Sequence, residues 1–580
     1  MFAGPIFTRE ALTAPRRLRH YLMRSGYVGI LLVLMYTVRQ ATVGFQDTRF
    51  SGDTAAFSSL VFGLFSLLQL TLGMFFATLF TAANIAQEKD RRTLILLLMT
   101  DIRSRELTYG KLLSSLLVVG VLIAASIPVF CALRLLGGVT WQQVLWVEAL
   151  IVSSVLLSGA WGCLVAYWRE KTFQTLAISV LGVVVFVALT EGLAVVLTGT
   201  TAGKVIGWAA PYRALFSVLD PLSGVTNGIA SVSAFESVLV LLSLAAALSV
   251  FTVLRLRIWN PSQALRQSVL EEDQESEATE RKSHRAVWDN PVTWKEMATS
   301  GYGRKVVVIK SVYILLVALI GYFILSSAPA EGALVMGMVS PASAAFLAIG
   351  VISLLLINAQ SVTSISTERD SNTLDILLAT DISAKEFMTG KISGAVWNAR
   401  EMFLGPVILI IWMMANGNAS ELTVENLVYV IVTYVVLGLF SVMLGLHSGL
   451  TYENSRSAIG NSLGTMFFLF VGMFVFMLLL VEARSTFMVQ LQSFIVFIGM
   501  GGIGLFVSLT HKNPSPALSI TAVSLPFLSF YAITEFLLGG SLGVCLAICT
   551  AYGFGVVAML VPSITNFDVA LGKTTNDIDT

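Results

Sequence analysis

The chain consists largely of apolar segments of about twenty residues or more, separated by short polar stretches. A helix of that length crosses a hydrocarbon core of about 30 Å. Inside lipid every backbone N–H and C=O group must be hydrogen-bonded within the protein, so only helices and closed barrels span it. The apolar segments are continuous and lack the alternation of a barrel strand. The sequence therefore predicts an all-α, polytopic integral membrane protein.

Composition supports this prediction. Of the 580 residues, 56% are hydrophobic and 12% are charged, whereas soluble domains average about 25% charged residues. We predict six spans in each half of the chain, at 26–44, 57–86, 112–136, 141–167, 173–198 and 234–254, and at 306–326, 341–367, 392–415, 424–450, 458–482 and 541–561. The apolar run at 487–509 has no counterpart in the first half. We expect a re-entrant pair or two crossings there, with 518–538 as the second segment.

Two polar loops, 280 residues apart, have nearly the same sequence. Loop 1 (88–111) and loop 2 (368–391) are identical at 12 of 24 aligned positions, and each lies between two long apolar segments. The entry to each half also matches, as does the exit. We therefore predict a duplicated domain, with one half at 1–254, a disordered cytoplasmic linker at 255–305 and a second half at 306–580.

The positions of lysine and arginine predict the orientation. With both termini, both loops and the linker in the cytoplasm, 28 of the 36 basic residues lie inside, 7 lie outside and Arg400 lies within a span. Cytoplasmic segments of membrane proteins carry this excess of positive charge. We expect a multi-pass protein of the inner cell membrane with both termini cytoplasmic.

The shared residues of the two loops form the candidate coupling site. After Glu, a basic residue and Asp comes Thr-Leu-x-x-Leu-Leu, whose leucines share one face of a short helix. An Asp-Ile turn follows, and a second helix continues through Gly-Lys into the next span; Ser383 and Glu386 fit a capping box for it. The candidates are Glu88, Asp90, Thr93, Leu94, Leu97, Leu98, Asp101, Glu106, Gly110 and Lys111 in loop 1, and Glu368, Asp370, Thr373, Leu374, Leu377, Leu378, Asp381, Glu386, Gly390 and Lys391 in loop 2.

Two interpretations of the leucine stripe remain open. The spans before the loops are predicted to be about 40–45 Å long, so they extend beyond the lipid core. The stripe could insert into a groove on a soluble partner, or it could pack on the ends of its own spans. The duplication favours the partner, with the stripes supplying most of the contact energy and the acidic residues setting the orientation.

At these residues the chain resembles the permease subunits of ABC-2 type exporters. Those carry a comparable Glu-Arg-x-x-x-Thr-Leu-x-x-Leu-Leu-x-Thr-x-Ile-Ser-x-x-Glu-x-x-x-Gly-Lys segment between their second and third spans. The resemblance extends to the six-span plan, the amphipathic entry and a proline in the third span, Pro128 and Pro406. The family usually has a turn proline where Asp101 and Asp381 stand here. The resemblance implies two fused permease halves, each with its loop on a cytosolic ATP-binding subunit.

Charged residues within the predicted spans are further candidates, because a charge in lipid costs several kcal/mol. They are Glu191, Arg400, Glu401 and Glu535. Arg400 and Glu401 are adjacent, so we expect them to point in different directions and to pair with other helices. Structural ion pairs and substrate contacts both remain open for these residues.

The chain is predicted to have no catalytic, cofactor or metal site of its own. Its nearest match to a phosphate-binding loop ends in Gly572-Lys573-Thr574, but Phe567 replaces the first glycine. We therefore expect ATP and Mg²⁺ to be bound by separate ATP-binding subunits, in two copies. The expected partners are these subunits and the lipid bilayer, without nucleic acid.

The leading hypothesis is the membrane-spanning part of an ABC-type exporter. A membrane scaffold of a motility or secretion complex, built on the same fold, is an alternative. A secondary transporter would carry ion-binding acids at corresponding places in both halves, yet Glu191 aligns with Phe476. An intramembrane protease would need converging catalytic groups, and the sequence has no such pattern. No motif indicates the substrate.

Overall fold

The computed structural model describes residues 4–13, 18–42, 51–197, 199–220, 232–260, 288–298, 306–326, 340–370, 373–374, 380–417, 422–483, 487–510 and 514–570. The regular secondary structure of these residues is entirely helical, which confirms the all-α prediction. The chain divides into two compact units, Met1–Arg285 (unit 1) and Ala286–Thr580 (unit 2). Each unit is described by itself.

Unit 1 contains six long helices and four short ones among its described residues. They are α1 (Gly4–Thr13), α2 (Leu18–Thr42), α3 (Ser51–Asp90), α4 (Thr93–Met99), α5 (Ser104–Leu135), α6 (Trp141–Trp168), α7 (Thr172–Val196), α8 (Thr201–Trp208), α9 (Pro211–Leu219) and α10 (Ala234–Trp259). With 40 residues, α3 is about 60 Å long. It therefore exceeds a lipid core of about 30 Å by a wide margin.

Unit 2 repeats the order of the long helices of unit 1, with an insertion of two long helices before its last one, where unit 1 has the short α8 and α9. Its described helices are α11 (Pro291–Ala298), α12 (Val306–Ser326), α13 (Pro341–Asp370), α14 (Ala384–Asn398), α15 (Arg400–Ala415), α16 (Val424–Thr451), α17 (Ser455–Ala483), α18 (Phe487–Leu509), α19 (Pro516–Leu537) and α20 (Ser541–Ala570). The insertion is formed by α18 and α19, which pack on each other. It occupies the segment for which the sequence predicted an extra pair.

The helices are long and apolar enough for a multi-pass membrane protein. By length and composition, 11 helices of the described residues can cross a membrane, or 12 when the bent pair of α14 and α15 counts as one span. Their apolar outer surfaces suit lipid, and their backbone groups are bonded within each helix. The chain is an integral multi-pass membrane protein.

Aligned helices make the same contacts in the two units. In unit 1, α6 packs on α3 and α10, α7 packs on α3, and α1 packs on α5. In unit 2, α16 packs on α13 and α20, α17 packs on α13, and α11 packs on α14. The most extensive helix contact in each unit is therefore that of α3 with α6 and that of α13 with α16.

One glycine in each unit permits this central packing. A Cβ added to Gly162 of α6 would lie 2.8 Å from the Thr78 carbonyl oxygen of α3. A Cβ added to Gly445 of α16 would lie 2.9 Å from the Asn358 carbonyl oxygen of α13. Both distances are too short for a side chain, so glycine is what lets the two helix backbones approach closely.

A side-chain hydrogen bond accompanies the glycine contact in both units. The Thr78 hydroxyl donates to the Ser158 carbonyl at 3.3 Å, and the Asn358 amide donates to the Ser441 carbonyl at 2.9 Å. Polar side chains that bond across helices in this way fix the register of the pair within an apolar core. The repeated contact was not part of the sequence prediction.

The predicted third span of unit 2 is broken into α14 and α15. The two helices meet at Ala399 with a bend of 47°. Pro406 has no N–H group to bond the Met402 carbonyl one turn earlier. The Tyr434 hydroxyl of α16 donates to that carbonyl instead, at 2.8 Å. This hydroxyl therefore satisfies the carbonyl that Pro406 leaves without its helical donor, three residues after the bend.

The predicted linker is shorter in the structure than 255–305. Helix α10 continues to Trp259 instead of ending at 254, and α11 lies within the range that was predicted to be disordered. Asn290 begins α11, because its side-chain oxygen accepts from the Thr293 N–H at 3.0 Å. Residues 261–287 lie outside the described residues.

Candidate functional site

Loop 1 contains a short helix between two long ones. The chain leaves α3 at Asp90, turns through Arg92, and enters α4 at Thr93. Arg92 has φ +57°, in the left-handed region that residues other than glycine rarely adopt. The Thr93 hydroxyl then donates to the Glu88 carbonyl at 3.2 Å. Together these features hold α4 at the end of α3.

The last turn of α3 is bonded to two neighbouring helices. The Glu88 carboxylate forms an ion pair with Lys111 of α5. The Lys89 ammonium group donates to the carbonyls of Tyr167, at 2.6 Å, and Arg169, at 2.9 Å. These carbonyls belong to the C-terminal end of α6, where intrahelical donors are missing. A lysine at this position therefore completes the end of a neighbouring helix.

The aspartate of each loop binds a hydroxyl at the start of another helix. Asp90 accepts from the Thr172 hydroxyl at the start of α7, and Asp370 accepts from the Ser455 hydroxyl at the start of α17. A carboxylate is favourable there because the N-terminal end of a helix carries partial positive charge. Polar cluster 1 is Glu88, Lys89, Asp90, Lys111 and Thr172; polar cluster 2 is Glu368, Arg369, Asp370, Lys391 and Ser455.

Arg369 of polar cluster 2 takes the place of Lys89. Its guanidinium group donates to the carbonyl of Tyr452 and, at 3.0 Å, to the carbonyl of Leu450. Counted from the hydroxyl residue of each cluster, these two carbonyls occupy the same positions as those that Lys89 binds. The two clusters are thus the same arrangement, built from aligned residues.

Polar cluster 2 also reaches the entry helix α11. Lys391 is 1% exposed and lies 2.7 Å from Glu296 and 2.9 Å from Glu368. Glu368 in turn lies 2.7 Å from Lys295. The two cations and two anions alternate, so the buried group carries no net charge. A buried ion pair is tolerated only when its partners are compensated in this way.

The leucine stripe faces its own unit. Leu94 is 2% exposed and Leu374 is 8% exposed, while Leu97 and Leu98 are half-buried. This is the packing alternative that the sequence left open. The apolar side chains that α4 presents outward are Leu96, 64% exposed, and Met99, 66% exposed. Leu377 and Leu378 lie outside the described residues.

The helix that follows each loop begins with a glutamate cap. In loop 2 the Ser383 hydroxyl accepts from the Glu386 N–H at 3.2 Å, and Glu386 accepts from the Ser383 N–H at 3.0 Å, which confirms the predicted capping box. In loop 1 the Glu106 carboxylate accepts from the Arg103 N–H at 3.4 Å. Arginine has no side-chain acceptor, so only this half of the box exists there.

The remaining shared residues have structural or exposed positions. A Cβ added to buried Gly390 would lie 2.7 Å from the Val292 Cβ of α11, so this glycine seats the entry helix. Gly110 is likewise buried in α5. Asp101 and Asp381 are exposed at the turns. The Thr373 hydroxyl donates to the Glu368 carbonyl at 3.0 Å, as Thr93 does in loop 1.

Two of the four candidate charges in the spans are Glu191 in unit 1 and Glu535 in unit 2. Glu191 accepts from the Arg213 backbone N–H at 3.1 Å and lies 3.3 Å from its guanidinium group, at the start of α9. Glu535 lies in the last turn of α19. Both positions are near helix ends rather than in the middle of the apolar segments.

Arg400 and Glu401 contact each other, so the expectation that they point in different directions is wrong, whereas Glu401 does pair with another helix as expected. The Arg400 Nε lies 3.2 Å from Glu401, and Lys310 of α12 lies 2.7 Å from Glu401. The Arg400 guanidinium group also lies over the Trp397 ring, 4.6 Å from its centroid. The break at Ala399 permits the contact, because Arg400 begins a new helix. We assign this group to the bend of the third span.

One intramembrane acid was absent from the sequence candidates. Glu148 lies within α6, and neither carboxylate oxygen has a hydrogen-bond partner within the described residues. Its neighbours are Gln69 of α3 and Ser126 of α5. Glu148 falls inside the predicted span at 141–167, so its charge within an apolar segment could have marked it as a candidate.

The fold and the clusters define a helical membrane protein in which one polar site is built twice. No protein-family model matches the chain, and no curated protein matches it. Within the described residues no three His, Cys, Asp or Glu side chains gather as metal ligands would. The functional argument therefore depends on the two polar clusters and on the surfaces beside them.

Proposed function

We propose that this chain is the membrane-spanning part of an ATP-driven exporter, with separate ATP-binding subunits docked on loop 1 and loop 2. The proposal includes an inner-membrane location with both termini and both loops in the cytoplasm. ATP and Mg²⁺ belong to the docked subunits. The observation that carries the proposal is the repetition of one polar cluster, built from aligned residues, at the base of two loops.

The clusters support a mechanical role for the loops. Polar cluster 1 bonds the end of α3 to α5, α6 and α7, and polar cluster 2 does the same for α13 with α14, α16 and α17. Four helices are thus fastened to one another at one place in each unit. A force applied to the loop would move these helices together, as coupling between ATP hydrolysis and transport requires.

The exposed residues of α4 supply a docking face. Leu96 and Met99 are one turn apart, so they lie on the same side of the helix. Burying each in a partner is worth roughly 1.5–3 kcal/mol. The flanking Arg92 and Arg103 are exposed, and exposed ion pairs contribute only about 0–1 kcal/mol each. The apolar pair is therefore expected to dominate the affinity.

Site-specific photo-crosslinking in native membranes tests the proposal. A photoreactive residue at Leu96 is expected to capture a polypeptide with a phosphate-binding loop, identified by mass spectrometry. The same residue at Leu94, which is buried on the opposite side of α4, is the matched control and should capture none. Purified chain and captured subunit should then hydrolyse ATP together in liposomes. The proposal fails if Leu96 captures no ATP-binding polypeptide while the chain inserts normally.

Flux separates an exporter from the scaffold alternative. Liposomes that contain the chain and its ATP-binding subunits should move a solute in an ATP-dependent manner if the chain is a transporter. A scaffold on the same fold would hydrolyse ATP without flux. Charged, zwitterionic and apolar fluorescent probes should each be tried, because no feature of the described residues indicates the substrate.

A further inference from the structure

Glu148 is an acid whose carboxylate oxygens are buried among apolar helices, beside Gln69 and Ser126 and without a cation among the described residues. It occupies the eighth position of α6, well inside the helix. Both of its carboxylate oxygens are buried away from any water-sized space and have no hydrogen-bond partner within the described residues. The other acids with polar contacts described above have donors or cations beside them. An unpaired ionised carboxylate in such a place would be highly unfavourable.

Gln69 is a buried amide next to this acid. Its side chain is 4% exposed, and both the amide oxygen and the amide nitrogen have no partner within the described residues. It lies beside Glu148, from the adjacent helix α3. Buried polar atoms in native structures are almost always satisfied, so the adjacent Glu148 and Gln69 side chains are expected to bond to each other.

A proton satisfies both groups at once. A carboxylate is an acceptor only, whereas a carboxylic acid has one O–H donor and one carbonyl acceptor. An amide has the matching acceptor and donors, so acid and amide can exchange two hydrogen bonds with a small side-chain adjustment. A metal ion or an ammonium group would need space around the oxygens, and that space is absent.

The surroundings contain no charge that could replace the proton. Ser126 of α5 is fully buried and already donates to the Ile123 carbonyl at 2.7 Å. Tyr27 of α2 is the titratable side chain close enough to sense Glu148. Among the described residues, the helices packed on α6, which are α3, α5, α7, α9 and α10, bring no charged group to the carboxyl.

The pair is not required by the fold. When the units are aligned through their polar clusters, Gln69 corresponds to Ile349 of α13 and Glu148 to Ile431 of α16. Unit 2 thus builds the same central helix pair with apolar residues at both positions. The buried acid and amide of unit 1 therefore destabilise the folded state without being needed for the helix packing. We take this as an indication that they have a function.

We propose that Glu148 is a proton-binding site within the membrane part of unit 1, where the protonated carboxyl pairs reciprocally with the Gln69 amide. The proton is taken up and released when movement of α6 against α3 exposes the carboxyl to water. The site is independent of the docking role proposed for the loops. It can be examined with the purified chain alone.

Infrared difference spectroscopy of the full chain in lipid nanodiscs tests this directly, with the proton itself as the probe. The wild-type chain should show the carbonyl band of a protonated carboxylic acid in mildly acidic buffer. It should lose this band in alkaline buffer. That band should be missing in Glu148→Gln and retained in Glu191→Gln, the matched control, since Glu191 is paired with Arg213. Gln69→Leu should shift the band by removing one hydrogen-bond partner.

Each outcome is decisive. A wild-type spectrum identical to that of Glu148→Gln would mean that Glu148 carries no proton, and the proposal fails. A Glu148 band that persists unchanged at alkaline pH would mean a fixed structural acid, and the proposal also fails. If Glu148→Gln does not give folded protein, the band shift in Gln69→Leu, which keeps Glu148, still identifies the group.

Discussion

Lys391 is the residue whose replacement should lower the free energy of unfolding the most. It is buried between Glu296 and Glu368, at 2.7 and 2.9 Å. Lys391→Met would leave two carboxylates facing each other with Lys295 as the remaining cation. Breaking a buried ion pair from one side destabilises by roughly 3–5 kcal/mol. We expect a clear fall in the thermal unfolding temperature of the detergent-solubilised chain.

Lys385→Met is the matched control, because Lys385 is an exposed lysine on the same helix, α14. It should leave the unfolding temperature nearly unchanged. The triple variant Glu296→Gln, Glu368→Gln, Lys391→Met removes the whole charge group and should recover part of the loss. Equal unfolding temperatures for Lys391→Met and Lys385→Met would show that the buried charges contribute nothing.

At the scale of elements, the seating of entry helix α11 depends on Gly390. A Cβ there would lie 2.7 Å from the Val292 Cβ and 3.0 Å from the Thr293 nitrogen. A leucine cannot fit, so Gly390→Leu should displace α11 from α14. Val292 is 3% exposed. The variant Val292→Cys should react with a maleimide reagent when it is combined with Gly390→Leu. It should be protected when Gly390 is unchanged.

Gly472→Leu provides the control for this experiment, since a Cβ at Gly472 would meet no atom within 4 Å. Labelling of the cysteine at position 292 should stay low in that background. Rapid labelling in the otherwise unchanged chain would contradict the buried position of α11. Slow labelling in both glycine variants would show that α11 tolerates the larger side chain.

The existence of the elements could be predicted from sequence, but their local details could not. Apolar length alone placed the long helices, with ends that differ from the predicted ones by up to nine residues, because lipid imposes helix formation on such segments. The bond from Tyr434 of α16 to the Met402 carbonyl joins two helices, so no pattern within one span predicts it. The leucine stripe on α4 could be recognised in the sequence. The sequence does not show, however, that the fold buries Leu94 and leaves Leu96 exposed.

At the scale of the whole molecule, the duplication could be predicted from the sequence, but the role of the repeated loop residues could be predicted only in part. Identical residues in the loops predicted equivalent positions, and the structure gives Asp90 and Asp370 the same type of bond. Their use as internal fasteners was not predicted, because Thr172 and Ser455 lie more than eighty residues away in the sequence. Glu148 could have been found as a charge inside a predicted span, whereas its neighbour Gln69 could not, because Gln69 lies on another helix.

The duplicated loops predict a stoichiometry of two docked subunits per chain. Leu96 is exposed on α4, and Ile376 is its aligned residue in loop 2. An aspartate at either position would place a charge where an apolar contact is expected, so Leu96→Asp and Ile376→Asp should each release one ATP-binding subunit. The double variant should release both. Native mass spectrometry of the purified complex counts them, and Leu135→Asp, an exposed change at the far end of α5, is the control. Two subunits retained on the double variant would contradict docking through the loops.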